Sequence, residues 1–571
     1  MQRPSLLSAS LLRRVSGKRV GVLLAAAMSL STMACAKLVD VQLTLLEPCD
    51  QEDRALNGVR TYRVETQEDG ETNGAYFSPG NSTPIELGLG NTEISVFAWT
   101  DEGADISDPV KSVGHTVLPA SPDDASTEPV NVSVLMGLVD SMGQVSSMTE
   151  SGDSQCESIS SGTGFVEGRH AHTATYIPQV NKVLVLGGAI WITDNANPGQ
   201  QTETYLRTAE LWDPATGVFT ALPDLQNPRA YHTATLVKDA NGDDVVFIAG
   251  GFSLLNQAPD TLTSGHLFYP SRVVEDAEQD ACTSPDSENC PFSGAISLRT
   301  QRAMHTATRL GDNLVVLAGG CSGPGCASDS ISDVGNGDPT DLVATVEVFN
   351  ATTGESISAD GLLTPRAMHA ASILNSGGQG VLLSGGVNAS GPVCTVELLR
   401  LSGDSIDNID ALSDPQRNLT TCPIRHVQVS LGDSRVAFIG GQTAAANGKP
   451  EGLGTDVVQF WNSAAGVEAT SAQMLVGRVG HTAHVLNDGS ILVYGGSKAD
   501  IGGPPAERLE LQPGTTNFIP SALATPPSGG AFDRAAAAEL PNNQIFVSGG
   551  HNDLTSSLLQ STQATYLYFG E

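Results

Sequence analysis

The 571-residue sequence predicts a nearly all-β protein, most of which repeats one short unit seven times. Three observations carry this. Gly is abundant at 61 residues, whereas aromatic residues make up only 5% of the chain. β-Branched runs alternate with Gly, Pro, Asn and Asp clusters about every ten residues, as many short strands and tight turns require. The stretch PRAYHTATL at 228–236, followed by VVFIAGG at 245–251, recurs with variations through everything after about residue 155.

Taken in order, residues 1–35 belong to targeting. Arg3, Arg13, Arg14, Lys18 and Arg19 form a positive leading region, 20–30 an apolar core too short to span a bilayer, and TMAC at 32–35 a cleavage region. The small residue before Cys35 resembles a bacterial lipobox, which implies that Cys35 becomes a lipidated N-terminus, although Thr32 stands where that motif prefers Leu. Cleavage beside Ala34 or Ala36 is the other reading. An exported protein follows, held at the outer membrane, cell surface or periplasm, touching the membrane only through that anchor. No later segment offers 18 consecutive apolar residues.

The nine cysteines agree with export. Setting Cys35 aside leaves eight, and proximity in sequence pairs Cys282 with Cys290, Cys321 with Cys326, Cys394 with Cys422, and Cys49 with Cys156. Zinc at Cys321 and Cys326 lacks a second ligand pair, so no metal is expected there.

Residues 36–150 lack the repeat. VDVQLTLL at 39–46, VRTYRVE at 59–65, TPIELGL at 83–89, TEISVFAW at 92–99 and VNVSVLM at 130–136 read as strands, and their natural packing is a small antiparallel, immunoglobulin-like sandwich. The polar segment 141–161 reads as connecting chain, with the linker itself at 151–160. The repeat region then fills 161–571. Gly-Gly doublets fall at Gly187, Gly250, Gly319, Gly385, Gly440, Gly495 and Gly549, at intervals of 54 to 69 residues. Each follows a short apolar strand. Another strand precedes it, a third follows, as in VEVFNATTG at 346–354, and a weaker fourth closes the unit.

Four strands per unit, a doublet ending the second and a VEVFN-x-x-TG third strand resemble kelch repeats, over about residues 155–571. The resemblance implies a seven-bladed β-propeller. The chain ends on a third strand, TYLYFGE at 565–571, so the last unit needs a fourth from elsewhere, and 160–168 is expected to supply it and close the ring.

The most polar repeated feature is Arg-x-x-His at the start of the first strand: Arg169/His172, Arg229/His232, Arg302/His305, Arg366/His369 and Arg478/His481. Unit five has Arg425 beside His426, and unit seven has Arg534 without a histidine. Glu210, Glu347, Glu397 and Glu510 mark the third strand, where units five and seven carry Gln459 and Tyr566. That co-occurrence favours Arg–Glu or His–Glu pairing within the fold. The functional alternative is that Arg169, Arg229, Arg302, Arg366 and Arg478 rim the central depression as a cationic patch for an anionic ligand. The kelch resemblance implies binding on the face bearing the second-to-third-strand loops, 189–207, 252–265 and 321–342.

A net charge of −34 repels nucleic acid, and none is expected as a partner. The expected role is a monomeric, non-catalytic binding protein for a protein or glycan, without cofactor or metal. The alternative is a carbohydrate-active enzyme on a kelch scaffold. The architecture resembles the central domain of galactose oxidases with its preceding sandwich, but no set of two Tyr and two His with an unpaired Cys stands out, and His551, after the last doublet, is the only notable candidate outside the repeat register. A sugar isomerase would need an acid–base pair that the sequence does not display. DVGNGDPTD at 333–341 does not match the EF-hand spacing and reads as a solvated loop.

Overall fold

The computed structural model describes residues 21–24, 41–48, 55–68, 71–78, 92–101, 104, 107–118, 130–145, 148–150, 168–193, 200–255, 258–273, 290–323, 341–359, 361–374, 380–402, 405–409, 418–431, 435–443, 454–462, 466–498, 503–513, 517–523, 532–551 and 560–570. As the composition predicts, the chain is all-β: only two single-turn 3₁₀ segments, Pro178–Val180 and Pro270–Arg272, interrupt the strands among the described residues. Cys35, Cys49, Cys156, Cys282, Cys326 and the loop 333–340 lie outside them.

The N-terminal strands correct the sandwich expectation, because they form one eight-stranded sheet. Thr61–Glu68, Thr92–Trp99, Ser112–Leu118 and Val130–Leu138 run antiparallel in turn, and Val130–Leu138 then pairs in parallel with Val41–Pro48. Gly21–Leu24, expected in the targeting segment, pairs with 41–44 at the sheet edge. Alternation explains why one sheet suffices. Ile94, Val96 and Ala98 bury one face with Leu43, Val64, Val134 and Met136. Val113, Leu135 and Phe97 turn the other face onto Val183, Trp212, Phe546 and Phe569 of the repeat region. The two regions therefore share a core, and the N-terminal sheet is a packed neighbour of the repeats.

The repeats form seven four-stranded sheets. Their first strands are Thr173–Ile177, Thr233–Lys238, Thr306–Leu310, Ala370–Leu374, Val427–Ser430, Arg478–Val485 and Ala536–Glu539. Here they define sheets one to seven. Sheet seven takes its fourth strand from Ser141–Gln144, which pairs with Thr565–Phe569. This replaces the expectation of 160–168, of which 160–167 lie outside the described residues. After Val130–Leu138 the chain turns at Asp140, at φ 52, and Asp140 ties the turn to the distant repeats by accepting from the Tyr568 hydroxyl at 2.6 Å and from Arg508 at 2.7 Å.

First strands touch their neighbours in sequence from sheet one to sheet seven, and Ala536–Glu539 touches Thr173–Ile177, closing the cycle. The doublets make this approach possible. At Gly319 and Gly320 φ is 59 and 94, and an added Cβ would lie 2.6 Å from the Arg366 carbonyl and 2.6 Å from the Ala303 carbonyl, respectively. Each second glycine donates its N–H to the next sheet, as Gly320 does to Arg366 at 2.8 Å, and Gly550 completes the round at Arg169, 2.7 Å.

Candidate functional site: the ring at the centre of the seven sheets

The residue just before each first-strand histidine position is held at positive φ: Ala171, Tyr231, Met304, Met368, Arg425, Gly480 and Arg534, at 51 to 69. Their backbones form a second closed cycle. Tyr231 N–H donates to Ala171 O at 3.0 Å, Met304 to Tyr231 at 3.1 Å, Met368 to Met304 at 3.2 Å, Arg425 to Met368 at 3.0 Å, Gly480 to Arg425 at 3.5 Å, Arg534 to Gly480 at 3.0 Å, and Ala171 to Arg534 at 3.1 Å. A left-handed conformation costs a non-glycine residue about 1–2 kcal/mol, so six of these positions are strained and held by the closed ring.

The five arginines expected to rim the depression do not face it. Arg169, Arg229, Arg302, Arg366 and Arg478 are wholly buried, because each guanidinium turns back into its own sheet. Arg302 donates from Nη1 to the Gly319 and Thr345 carbonyls at 2.8 and 3.2 Å, and from Nη2 to Glu347 at 2.7 Å. Arg366 does the same with Gly385, Thr395 and Glu397, and Arg169 meets Glu210 at 3.4 Å. In sheet six the partner is Glu507, at 2.9 Å; Glu510, expected from sequence, lies three residues further along the strand and is exposed. Burial opposes ionisation of Glu347, but the Arg302 charge and hydrogen bonds from Arg299 N–H, Arg302 and Ser356 outweigh it and hold the carboxyl below its usual range. Arg229 faces His266 at the equivalent register, and burial pushes its guanidinium down to about 10.

Sheets five and seven depart from this plan together. Pro423 and Phe532 stand at the clamped position and keep only its carbonyl, which still accepts from Gly386 and Gly496 at 2.9 and 3.0 Å. Their arginines come two residues later, on the ring. Arg425 and Arg534 thus line a central cavity of about 300 Å³ with Ala171, Tyr231, Met304, Met368, Gly480 and the edges of the first-strand histidines. Those imidazoles bring no charge: burial, and then the neighbouring arginine, holds His172, His232, His305 and His369 well below the ordinary range.

Arg534 is anchored. Its Nη1 donates to the Tyr231 hydroxyl at 2.7 Å, which donates to Glu203 at 3.0 Å; Glu203 also meets His170 Nε2 at 2.7 Å. His170 stacks on Trp191, and its ring lies edge-on to His551, which faces Asp533 at 3.5 Å. The seven-fold repeat shows what is unusual here. Two residues before the histidine, sheets two to six carry Ala230, Ala303, Ala367, Ile424 and Val479, whereas sheets one and seven carry His170 and Asp533. A layer that is apolar elsewhere becomes an ionisable network at one seam.

Sequence reasoning missed Arg425 and Arg534 as ring residues, and missed the seam. Column-by-column comparison of the seven copies exposes both, since each is a departure at a fixed position. Of the cysteines, Cys394 and Cys422 are bonded as expected, and Cys290 and Cys321 are each in a disulfide. Among the described residues no group of three His, Cys, Asp or Glu is disposed to hold a metal ion, and no helix is long and apolar enough to cross a membrane. A larger concavity, about 630 Å³, lies between sheets five and six beside Gln473, Met474 and Phe518, but no charged side chain lines it, so the ring carries the functional argument. No family model matches the chain, and no curated protein does either.

Proposed function

We propose that this chain is an exported binding protein, a seven-bladed β-propeller of kelch type, which engages a protein or glycan at the ring cavity and catalyses nothing. Seven four-stranded sheets and two closed cycles of backbone hydrogen bonds support the architecture. The Cys394–Cys422 disulfide is compatible with an oxidising compartment. The binding reading rests on one observation: two arginines are withdrawn from the repeat's structural position and set on the ring. Anchorage through Cys35 completes the proposal, with the N-terminal sheet packed against the propeller.

One observation favours a carbohydrate-active enzyme instead, namely the adjacent pairs His170–Glu203 and His551–Asp533. Both imidazoles and Asp533 are buried, and none of the four lines the cavity, so the acid–base groups do not reach a bound sugar. The test is a glycan and peptide array on the mature protein, repeated with Met368→Trp, which fills the cavity. Capture abolished by Met368→Trp is the expected result. Capture indifferent to it, or turnover on a sugar panel, would overturn the reading.

A further inference from the structure

Every repeat sheet ends on an outer strand, and each of these strands is guarded. Phe219–Leu222, Ile296–Ser297 and Ser141–Gln144 have four residues or fewer. Glu355–Ala359 and Ser405–Ile409 carry Glu355 and Asp407, Gly466–Gln473 carries Glu468 and a register shift, and Phe518–Ala522 carries Pro520. Short length, charge, bulges and proline all discourage pairing with another chain. The N-terminal sheet ends differently. Its last strand, Glu71–Phe77, keeps unbroken register with 62–68 over seven residues, and among the described residues no strand pairs with its outer side. It contains no proline and no bulge, and its one charge, Glu71, stands at the end. Thr72, Asn73 and Gly74 are exposed in succession, although consecutive residues point to opposite faces, so the strand stands clear on both sides there.

We propose that this edge joins two copies of the chain, with Glu71–Phe77 of one copy antiparallel to Glu71–Phe77 of the other about a two-fold axis beside Gly74. The sequence predicts a monomer, because a free sheet edge is not visible until the strand order is known.

Symmetry selects a second copy as the occupant. Gly74 is the middle residue of the strand, so a two-fold axis there engages its whole length. Glu71 then faces Phe77 of the other copy, Thr72 faces Tyr76, and Asn73 faces Ala75. No like charges oppose each other, and Tyr76, 37% exposed, is covered at both ends of the pairing. The axis itself carries no unpaired charge. The Arg63 guanidinium lies where a side chain on Gly74 would be, with Nη2 2.7 Å from an added Cβ, and Glu65 neutralises it at 2.5 Å. The outward N–H and C=O groups of each edge gain partners, and one sheet runs through both copies. Seven residues of strand make a small interface, so the dimer is weak, with a Kd of about 1–100 µM. The net charge of −34 on each copy opposes association, and salt relieves that repulsion. Such a dimer presents two propellers to one partner, but the pairing does not depend on what they bind.

Sedimentation equilibrium of the mature, disulfide-intact chain, loaded up to about 200 µM, tests the pairing. The native chain should show a monomer–dimer equilibrium that tightens as NaCl rises from about 0.05 to 0.3 M. Thr72→Glu/Tyr76→Glu sets like charges against each other at both ends and should weaken the dimer at least about ten-fold. Thr72→Lys/Tyr76→Glu sets opposite charges at the same positions and should recover most of that loss. Both side chains are exposed, so the monomer should tolerate the changes, which its thermal midpoint checks. A native chain that stays monomeric at about 200 µM overturns the proposal, whatever the stability of the variants. A dimer indifferent to Thr72→Glu/Tyr76→Glu, or one that Thr72→Lys/Tyr76→Glu fails to restore, overturns it as well.

Discussion

Thr173 Oγ1 and His232 Nε2 lie 3.0 Å apart and join the first strands of sheets one and two. The same bond links Thr233 with His305 at 3.1 Å and Thr306 with His369 at 3.0 Å. Where the first strand carries Ala370 or Ala536, the hydroxyl comes from its cross-strand partner, Ser384 or Ser548, and reaches His426 or His172 at 2.8 and 2.9 Å. Sheets five and six lack the bond, because Val427 and Ile439 occupy both positions opposite His481. Replacing Val427 by Thr should supply the hydroxyl and stabilise the protein by about 1 kcal/mol, whereas Thr233→Val should cost about 1–3 kcal/mol. Urea midpoints measure both, and equal effects of the two substitutions would contradict the pairing.

Gln459 shows how charge is matched inside the sheets. Glu347 accepts from the N–H groups of Arg299 and Thr300, and Glu397 from those of Leu363 and Thr364, while each also meets its arginine. Gln459 accepts from Thr420 and Thr421 N–H in the same way, but in sheet five Pro423 has replaced the arginine. An amide keeps the hydrogen bonds without a buried charge. Gln459→Glu should therefore destabilise by about 3 kcal/mol at neutral pH, and adding Pro423→Arg should recover part of it. Arg302→Met should cost about 3–5 kcal/mol, and less when Glu347→Met is added. Folding free energies of these variants decide the matter; an inert Gln459→Glu would refute it.

Much of this was legible from the chain. The doublets located the second strands, and the co-occurrence of Arg and Glu foretold the buried pairs, because both signals lie within one repeat. Glu507 was mistaken for Glu510 because two glutamates share one strand, and only cross-strand register separates them. Arg425 and Arg534 read as lost motifs, since a two-residue shift from a buried clamp to the ring leaves composition unchanged. The strand Ser141–Gln144 was hidden for a different reason: Asp140 and Tyr568 are 428 residues apart, and no local pattern records so distant a pairing.

The Cys394–Cys422 bridge spans a separation of 28 residues and ends beside Pro423, where sheet five lacks the arginine clamp. Closing a loop of that length restricts the unfolded chain and contributes about 3 kcal/mol. The double substitution Cys394→Ser/Cys422→Ser should lower the unfolding free energy by about that amount, leaving the described fold of the other sheets intact. Unfolding of the oxidised protein with and without reductant tests the same quantity, and an unchanged urea midpoint would show that the bridge is dispensable.

Acid should unfold the protein through its histidines. Burial, the main cause throughout, lowers His172, His232, His305 and His369 well below the ordinary range, His115 and His266 to about 4, and His426 and His481 to about 3. The unfolded chain protonates imidazole near about 6.5. Between these values unfolding takes up protons, so the stability is fully present above about pH 6.5 and is lost as the pH falls toward 4, by at most about 1.4 kcal/mol per pH unit for each histidine. An opposing effect exists, because protonating carboxylates relieves the repulsion of a chain at −34, but ordinary carboxylates titrate near about 4, below most of this window. The thermal midpoint should accordingly be flat between about pH 7 and 8 and fall steeply between about 6 and 4.5, with several protons taken up per molecule unfolded. His232→Gln should reduce that uptake by about one proton while shifting the whole curve down, and a midpoint that stays level to pH 4.5 would rule the mechanism out.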